Sequence, residues 1–454
     1  MPVRAKAPAG ICSAVLATLL WIVTGTSGAV AADAPPLVLA HITTTDGLPQ
    51  ATVMTTLQDS QGFVWFGTED GLVRFDGEQL QRYAHSRDDP RSLAGNFVWD
   101  IVEDGHHDLW IAIKDGGLAR WSRATDTFTT YRHDRRDPNS LASDALRALL
   151  IDARGRLWVG TTDAGVDVLD PATGRFEHLA QPGGKTGSLS SNQIRALSLG
   201  QRGDVWIGTE AGLDRWRADT GVVEPFGPAA RDARSRSGRG IDQGVASVLE
   251  DRSGVVWAGT FEGGLVRLSA DGHVLESFRH DAGKPGSLAS NEVRAILEDP
   301  AGRLWIGTAE GLDLLDRATG ELSHYRYEPS DPDSLRASYV MSLYQDASGL
   351  LWIGTRGGGV SRWNPRSWEL GARRPAWLAS APVQAFADAP DNEVWVGSLG
   401  GLTRFNPDTG DAKSFDVVTG QRNALGRSRV MSLRRDQRGA LWIGTMTDGL
   451  AHDA

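Results

Sequence analysis

The 454-residue chain has one cysteine, Cys12. It lies inside what reads as an export signal, so the mature chain has no disulfide and no thiol chemistry, despite an oxidising destination. Long apolar runs are scarce as well. Residues 11–23 form one short run, and no other approaches the 18 residues that a membrane helix needs. Excess positive charge is missing: 47 Lys and Arg stand against 57 Asp and Glu, a formal net charge of -10. That balance disfavours nucleic acid or an anionic membrane surface as partner. There is no Gly-x-Ser-x-Gly nucleophile motif and no His-x-x-x-His pair on a helical pattern. Arg4 and Lys6 precede the apolar run, and small residues follow it to Ala31, which predicts a signal peptide over residues 1–32 and a periplasmic destination. An uncleaved membrane anchor is the alternative.

What the chain has is glycine, 54 residues of it, and a recurring tryptophan. Trp65, Trp110, Trp158, Trp206, Trp257, Trp305, Trp352, Trp395 and Trp442 follow one another at 43 to 51 residues. A Gly stands two positions after each, except at Ala112. Self-similarity at this period means a solenoid or a propeller. In the repeat at 146–179, four short strands are predicted: 146–152, 157–161, 166–170 and 175–179. A turn lies between each pair, with Gly155, Gly165 and Gly174 supplying the turn glycines. Four short strands per repeat make a propeller blade, so the fold class is all-β, with four-stranded antiparallel blades.

Column reading agrees. Twelve residues before each Trp the side chain is Val, Leu or Ile, from Val53 to Val430. Ten residues before it the side chain is small, except at Asp100. Small residues belong where inner strands crowd round an axis, and the nine indoles read as anchors between blades. Connectors of the type Asp89-Pro90-Arg91-Ser92-Leu93 join one blade to the next, their Leu plugging the seam.

Residues 37–44 fall into register as a lone outer strand: Val38 lies 15 residues before Val53, as Tyr83 lies 15 before Val98. The seventh repeat lacks the hairpin after Trp363. Residues 37–44 are therefore expected to complete blade seven, closing a ring over residues 37–370. Residues 371–454 then hold two blades of an incomplete second propeller. A single wider ring of eight or nine blades is the alternative. The last repeat stops in its third strand, so the chain reads as a fragment.

The pattern Asp-x-x-Gly-x-[Leu/Val]-Trp-[Ile/Val]-Gly-Thr, then Gly-Leu and Arg-[Phe/Trp]-[Asp/Asn], resembles the two-component regulator propeller repeat. So does the opening from Asp46-Gly47-Leu48-Pro49-Gln50 to Phe75-Asp76-Gly77. The resemblance covers residues 37–450. It implies the periplasmic sensor region of a transmembrane receptor. A β-sandwich, a membrane helix and a histidine kinase or diguanylate cyclase output domain usually follow, and none of these is visible here. It also implies a nutrient or carbohydrate ligand, hence an unknown small molecule or glycan as partner.

Eleven residues before the Trp the column varies: Met54, Trp99, Arg147, Arg195, Ala246, Arg294, Met341, Gln384 and Met431. Variation inside a regular repeat points to a surface freed from packing. Trp99, Arg147, Arg195, Arg294 and Met341 are the candidate ligand-binding residues. The arginines suit a carboxylate or phosphate, and Trp99 a stacking role. Alternatively, the arginines pair with turn acids such as Asp163 and Glu210. The acids Glu69-Asp70, Asp115, Asp163, Glu210, Glu262, Glu310 and Asp448 read as solvent-facing turn residues rather than a cation-binding rim. Gly183-Gly184-Lys185-Thr186 lacks the preceding Gly of a phosphate loop, and His106-His107 reads as an exposed turn. No catalytic residue, metal or cofactor is expected. The rival readings are a quinoprotein-type dehydrogenase (from turns such as Thr173-Gly174 and Thr409-Gly410), a carbohydrate-active propeller enzyme, and an interaction scaffold.

Overall fold

A computed structural model describes residues 37–170, 173–181, 187–226, 241, 243–369, 382–390, 393–406, 411–415, 429–436, 439–447 and 449–453. The signal segment 1–32, Gly183–Thr186, Thr409-Gly410 and Asp448 lie outside these residues. The third repeat shows the plan. Its strands Leu146–Ile151, Leu157–Thr161, Val166–Asp170 and Arg175–Leu179 pair in that order, all antiparallel. The second strand is buried at every position, as its continuous apolar character requires. Helix is confined to a 3-10 turn at Thr44–Asp46 and one turn at Arg366–Glu369 among the described residues.

The repeated Asp closes the first turn and fixes the indole together. Asp152 Oδ1 accepts the backbone N–H of Arg154 (2.9 Å) and Arg156 (3.0 Å), while Oδ2 accepts the Trp158 indole N–H at 3.0 Å. Seven of the nine indoles donate in this way to the carboxylate six residues earlier, at 2.8–3.1 Å. Trp206 has Gly200 at that place and donates instead to Glu250 of the next blade, at 2.8 Å. A buried indole N–H without an acceptor would keep its full desolvation cost. The replacement of one carboxylate by another follows from that.

Each indole leans on the blade that follows its own. Trp65 meets Trp121 with ring centroids 4.9 Å apart, Trp158 meets Trp216 at 4.9 Å, and Trp305 meets Trp363 at 5.2 Å. The buried apolar residues divide accordingly into clusters that lie between blades. Connector leucines 93, 141, 189, 288 and 335 are buried within them. Burying one indole is worth roughly 4–6 kcal/mol by area, as an upper estimate. The wedges therefore dominate the cohesion of the stack. Arginines add cross-blade ties: Arg123 reaches Asp59 at 2.8 Å, and Arg317 reaches Asp251 at 3.3 Å.

The seventh sheet meets the first. Leu39–Ile42 pairs with Val360–Trp363, Leu39 opposite Trp363 and Ile42 opposite Val360, as the outer strand of the sheet that also holds Val340–Gln345. Trp352 of that sheet packs on Phe66 (5.7 Å) and Phe75 (6.2 Å) of the first blade. One apolar cluster joins Trp352 and Val360 to Val53, Val64 and Leu48. Blades eight and nine form their own cluster round Trp395 and Val430. Blade nine's described strands number three, Val430–Arg435, Leu441–Thr445 and Leu450–Asp453. The anchoring role expected of all nine indoles does not extend to the last. Trp442 is 36% exposed, whereas Trp395 is 8% exposed, because no following blade covers Trp442 among the described residues.

The Gly after each Trp is a packing requirement. A Cβ on Gly160 would sit 2.7 Å from Ile194 Cγ2 on the next inner strand. Gly160→Ala is expected to cost about 1–3 kcal/mol, measured by urea unfolding. Gly105→Ala, where a Cβ meets nothing within 4 Å, is expected to change stability little. Equal effects would refute the close inner packing.

Candidate functional site

In every blade the ladder between the first two strands slips at one residue, and that residue is the variable one eleven places before the Trp. Pairing jumps from Leu146 to Ala148, from Ile194 to Ala196 and from Val293 to Ala295, with the same slip in the other six blades. A bulged residue leaves the ladder and its side chain is re-aimed. This is why the column escapes the packing rule that holds its neighbours to Val and Ala. In the ring the bulges bring Met54, Trp99, Arg147, Arg195, Ala246, Arg294 and Met341 to one axial cavity of about 280 Å³. All five candidate residues line it.

The three arginines fare differently. Arg195 Nε donates to Glu210 Oε2 at 2.7 Å, a pairing with a turn acid. Arg294 Nη2 lies 2.7 Å from Glu292 Oε1, and its Nε donates to Tyr339 Oη at 2.9 Å. Phe261 lies between them, 5.7 Å from the Arg195 guanidinium and 4.7 Å from that of Arg294. Arg147 has no such carboxylate. Its Nη1 is buried with no hydrogen-bond partner, and its guanidinium stacks on the Trp99 ring at 3.6 Å. Desolvation first, then the like charges of Arg294 and Arg195, push its pKa down to about 9, which leaves it cationic at neutral pH. Trp99 therefore supports Arg147 instead of offering that face to a ligand, and Phe97 packs against Trp99 at 4.7 Å.

Asp100, the exception in the small column, is the carboxyl group on the cavity wall. Its Oδ1 accepts from Ile101 N–H (2.9 Å) and Thr55 hydroxyl (3.2 Å), and Oδ2 accepts from Leu149 N–H (2.8 Å). It thereby joins the inner strands of blades one, two and three. Burial raises its pKa to about 6 against the pull of these hydrogen bonds. Glu292, Tyr339, Phe97 and Phe261 are site residues that column reading passed over. The first three stand thirteen residues before their Trp, Phe261 four after its own, and both columns vary as freely as the bulge column.

Segments 47–70, 140–163, 188–211, 287–310 and 334–357 match the family described as two component regulator propeller. Five of the blades thus carry a segment similar to this repeat. The structure is similar to the extracellular domain of a hybrid two component system from B. thetaiotaomicron. The TM-score is 0.61 and the identity 25%, over 92% of this chain and 53% of that one. A 57-residue stretch is 39% identical to histidine kinase P4 of Formosa agariphila, 13% of this chain and 4% of the kinase. The chain thus spans about half of that solved domain and a small part of the kinase. Virginiamycin B lyase from Staphylococcus aureus shares the fold, with a TM-score of 0.51 at 12% identity over 72% of this chain and 98% of the lyase.

Elsewhere on the ring, the turn acids stay local. Asp70 pairs with Arg82 at 2.6 Å, Glu69 accepts from Gln50, and Asp115, Asp163, Glu262 and Glu310 are exposed. His106 and His107 are exposed, His107 beside Ser60. No cluster of three potential metal ligands occurs among the described residues. Buried Asp167 and Asp313 each bind a histidine, His178 and His324, at 2.7 Å. Those histidines also reach the Pro138 and Pro285 carbonyls, which makes them clips between an outer strand and a connector. A larger cleft of about 800 Å³ opens beside Trp206 and Arg215. Two of its arginines are already matched, Arg215 to Glu224 at 2.6 Å and Arg217 to Asp219 at 2.7 Å, and the third, Arg202, is exposed to solvent rather than buried. The axial cavity is smaller but holds the buried unmatched cation, so it is the better candidate site.

Asp100 makes the stability of the ring depend on pH. Its folded pKa of about 6 lies above the unfolded value of about 3.9. The folded state therefore holds the proton more tightly, and ionisation costs stability as pH rises from about 4 to about 6. The stability of the wild type relative to Asp100→Asn is expected to fall by about 1–3 kcal/mol between pH 4 and pH 7 in urea unfolding. A difference that does not change with pH would mean that Asp100 is well solvated.

Proposed function

We propose that this chain is the ligand-binding sensor module of a two component receptor. Residues 1–32 export it to the periplasm. Residues 37–370 form the sensing ring, and residues 371–454 hold two further blades that belong to a second propeller. A small molecule or glycan binds at the axial face. The change passes through blade packing to a membrane-bound output domain, and the module itself catalyses nothing. The observation that carries this reading is the likeness to the extracellular domain of a hybrid two component system across 92% of the chain at 25% identity. The cavity chemistry supports binding over glycoside hydrolysis. Its wall carries one carboxyl group, Asp100, whereas a hydrolase of that kind uses two facing carboxyls.

Two measurements test the reading. Alkaline phosphatase fused after the last residue should be active in cells, and inactive when residues 1–32 are deleted. Residues 37–454, exchanged for the matching propeller region of a hybrid two component receptor, should place a reporter under the control of some compound in a nutrient library. A folded exchange whose reporter ignores the whole library would end the sensor reading.

A further inference from the structure

The seven bulged side chains do not surround the axis evenly. In ring order the cationic residues are Arg147, Arg195 and Arg294, on blades three, four and six. Met341 and Met54 follow on blades seven and one, each 8% exposed. The cavity is thus cationic on one side and thioether-lined on the other. Two of its three cations are matched by Glu210 and Glu292. The third, Arg147, keeps a buried Nη1 without a partner. Asp100 acts on Arg147 as an opposite charge but forms no hydrogen bond or ion pair with it, its bonds going to two backbone N–H groups and the Thr55 hydroxyl. A buried donor left unmade costs more than the same donor bonded, and a planar guanidinium suits a two-point oxyanion contact. Trp99 stacks against the guanidinium at 3.6 Å and holds it in place, so little side-chain freedom is lost when an anion arrives. The volume, about 280 Å³, is at the low end for small-molecule sites and leaves no room for a long glycan.

We propose that the axial cavity binds a small organic anion, its carboxylate or phosphate head on Arg147 between Arg195 and Arg294, and its short aliphatic body against Met54 and Met341. This rests on the sensor reading for its biological purpose and narrows the ligand to an amphiphilic anion. Neutral sugars lack the head, and inorganic phosphate lacks the body.

The test is isothermal titration of the full chain with hexanoate, hexyl phosphate, inorganic phosphate and glucose. Hexanoate or hexyl phosphate is expected to bind one to one, and the stronger of the two identifies the head group. Arg147→Gln should weaken that binding at least about tenfold, about 1.4 kcal/mol. The same variant should melt at a higher temperature without ligand, since an unmatched buried cation is removed. Arg147→Lys, which keeps the charge but not the planar fork, should also bind more weakly. It carries the test should Arg147→Gln fail to fold. Failure of both hexyl probes to bind the folded protein would overturn the proposal. So would glucose or inorganic phosphate binding as tightly as they do, or Arg147→Gln binding undiminished. The sensor reading fails separately: anion binding intact, with no reporter response in the receptor exchange, would leave the site standing and remove its purpose.

Discussion

The indole hydrogen-bonded to the carboxylate six residues before it is the contact on which the molecule depends. An indole is large enough to fill the seam between two twisted sheets, but its N–H cannot be buried unpaired. The Asp that closes the preceding turn supplies the acceptor from within the same blade, at 2.9 Å in Trp65–Asp59. Each blade therefore carries a finished wedge before it meets its neighbour, and the neighbour contributes only apolar surface. In blade eight the place of the Asp is held by Ala389. In blade four, where Gly200 stands in its place, Glu250 from the next blade takes over. There the same requirement is met across the seam.

Closing a ring with these wedges forces the inner strands together at the axis, and the functional site follows from that crowding. Gly160 and its equivalents are small so that the next inner strand can approach, and Ala148 and its equivalents face the same pressure. The bulge at the residue just before Ala148 relieves it, taking one side chain per blade out of the ladder and turning it to the axis. The fold thus makes a circle of side chains with no packing duty. On this circle Arg147, Arg195 and Arg294 come together without cost to the cores between blades. Asp100 ties three of the inner strands at the cavity wall. Its bonds to Thr55, Ile101 and Leu149 are where a charge change at Asp100 would act on the inner strands.

Much of this was legible in the chain. The strand limits of the third blade, the seam-filling leucines and the varying column all follow from local rules: turn glycines, alternating burial and one indole per period. The placement of Val38 fifteen residues before Val53 even pointed to the lone strand that finishes blade seven. Arg195 and Arg294 show where such reading stops. They occupy the same column, yet one is held by Glu210 of its own blade and the other by Glu292 together with Tyr339 of the next. Spacing along the chain does not distinguish these environments, because Tyr339 comes beside Arg294 only once blades six and seven pack together.

The sequence by itself determined the blade, its period and the identity of the wedge, because these arise from contacts within about fifty residues of each other. The tertiary structure alone brings Ile42 against Val360 and Trp352 against Phe66 across some three hundred residues, where the sequence leaves a wider ring as an alternative. It also decided that Arg147 is the cation left unmatched. A partner is a matter of distance in space, and the bulge that brings these side chains to the axis exists only once the strands are paired.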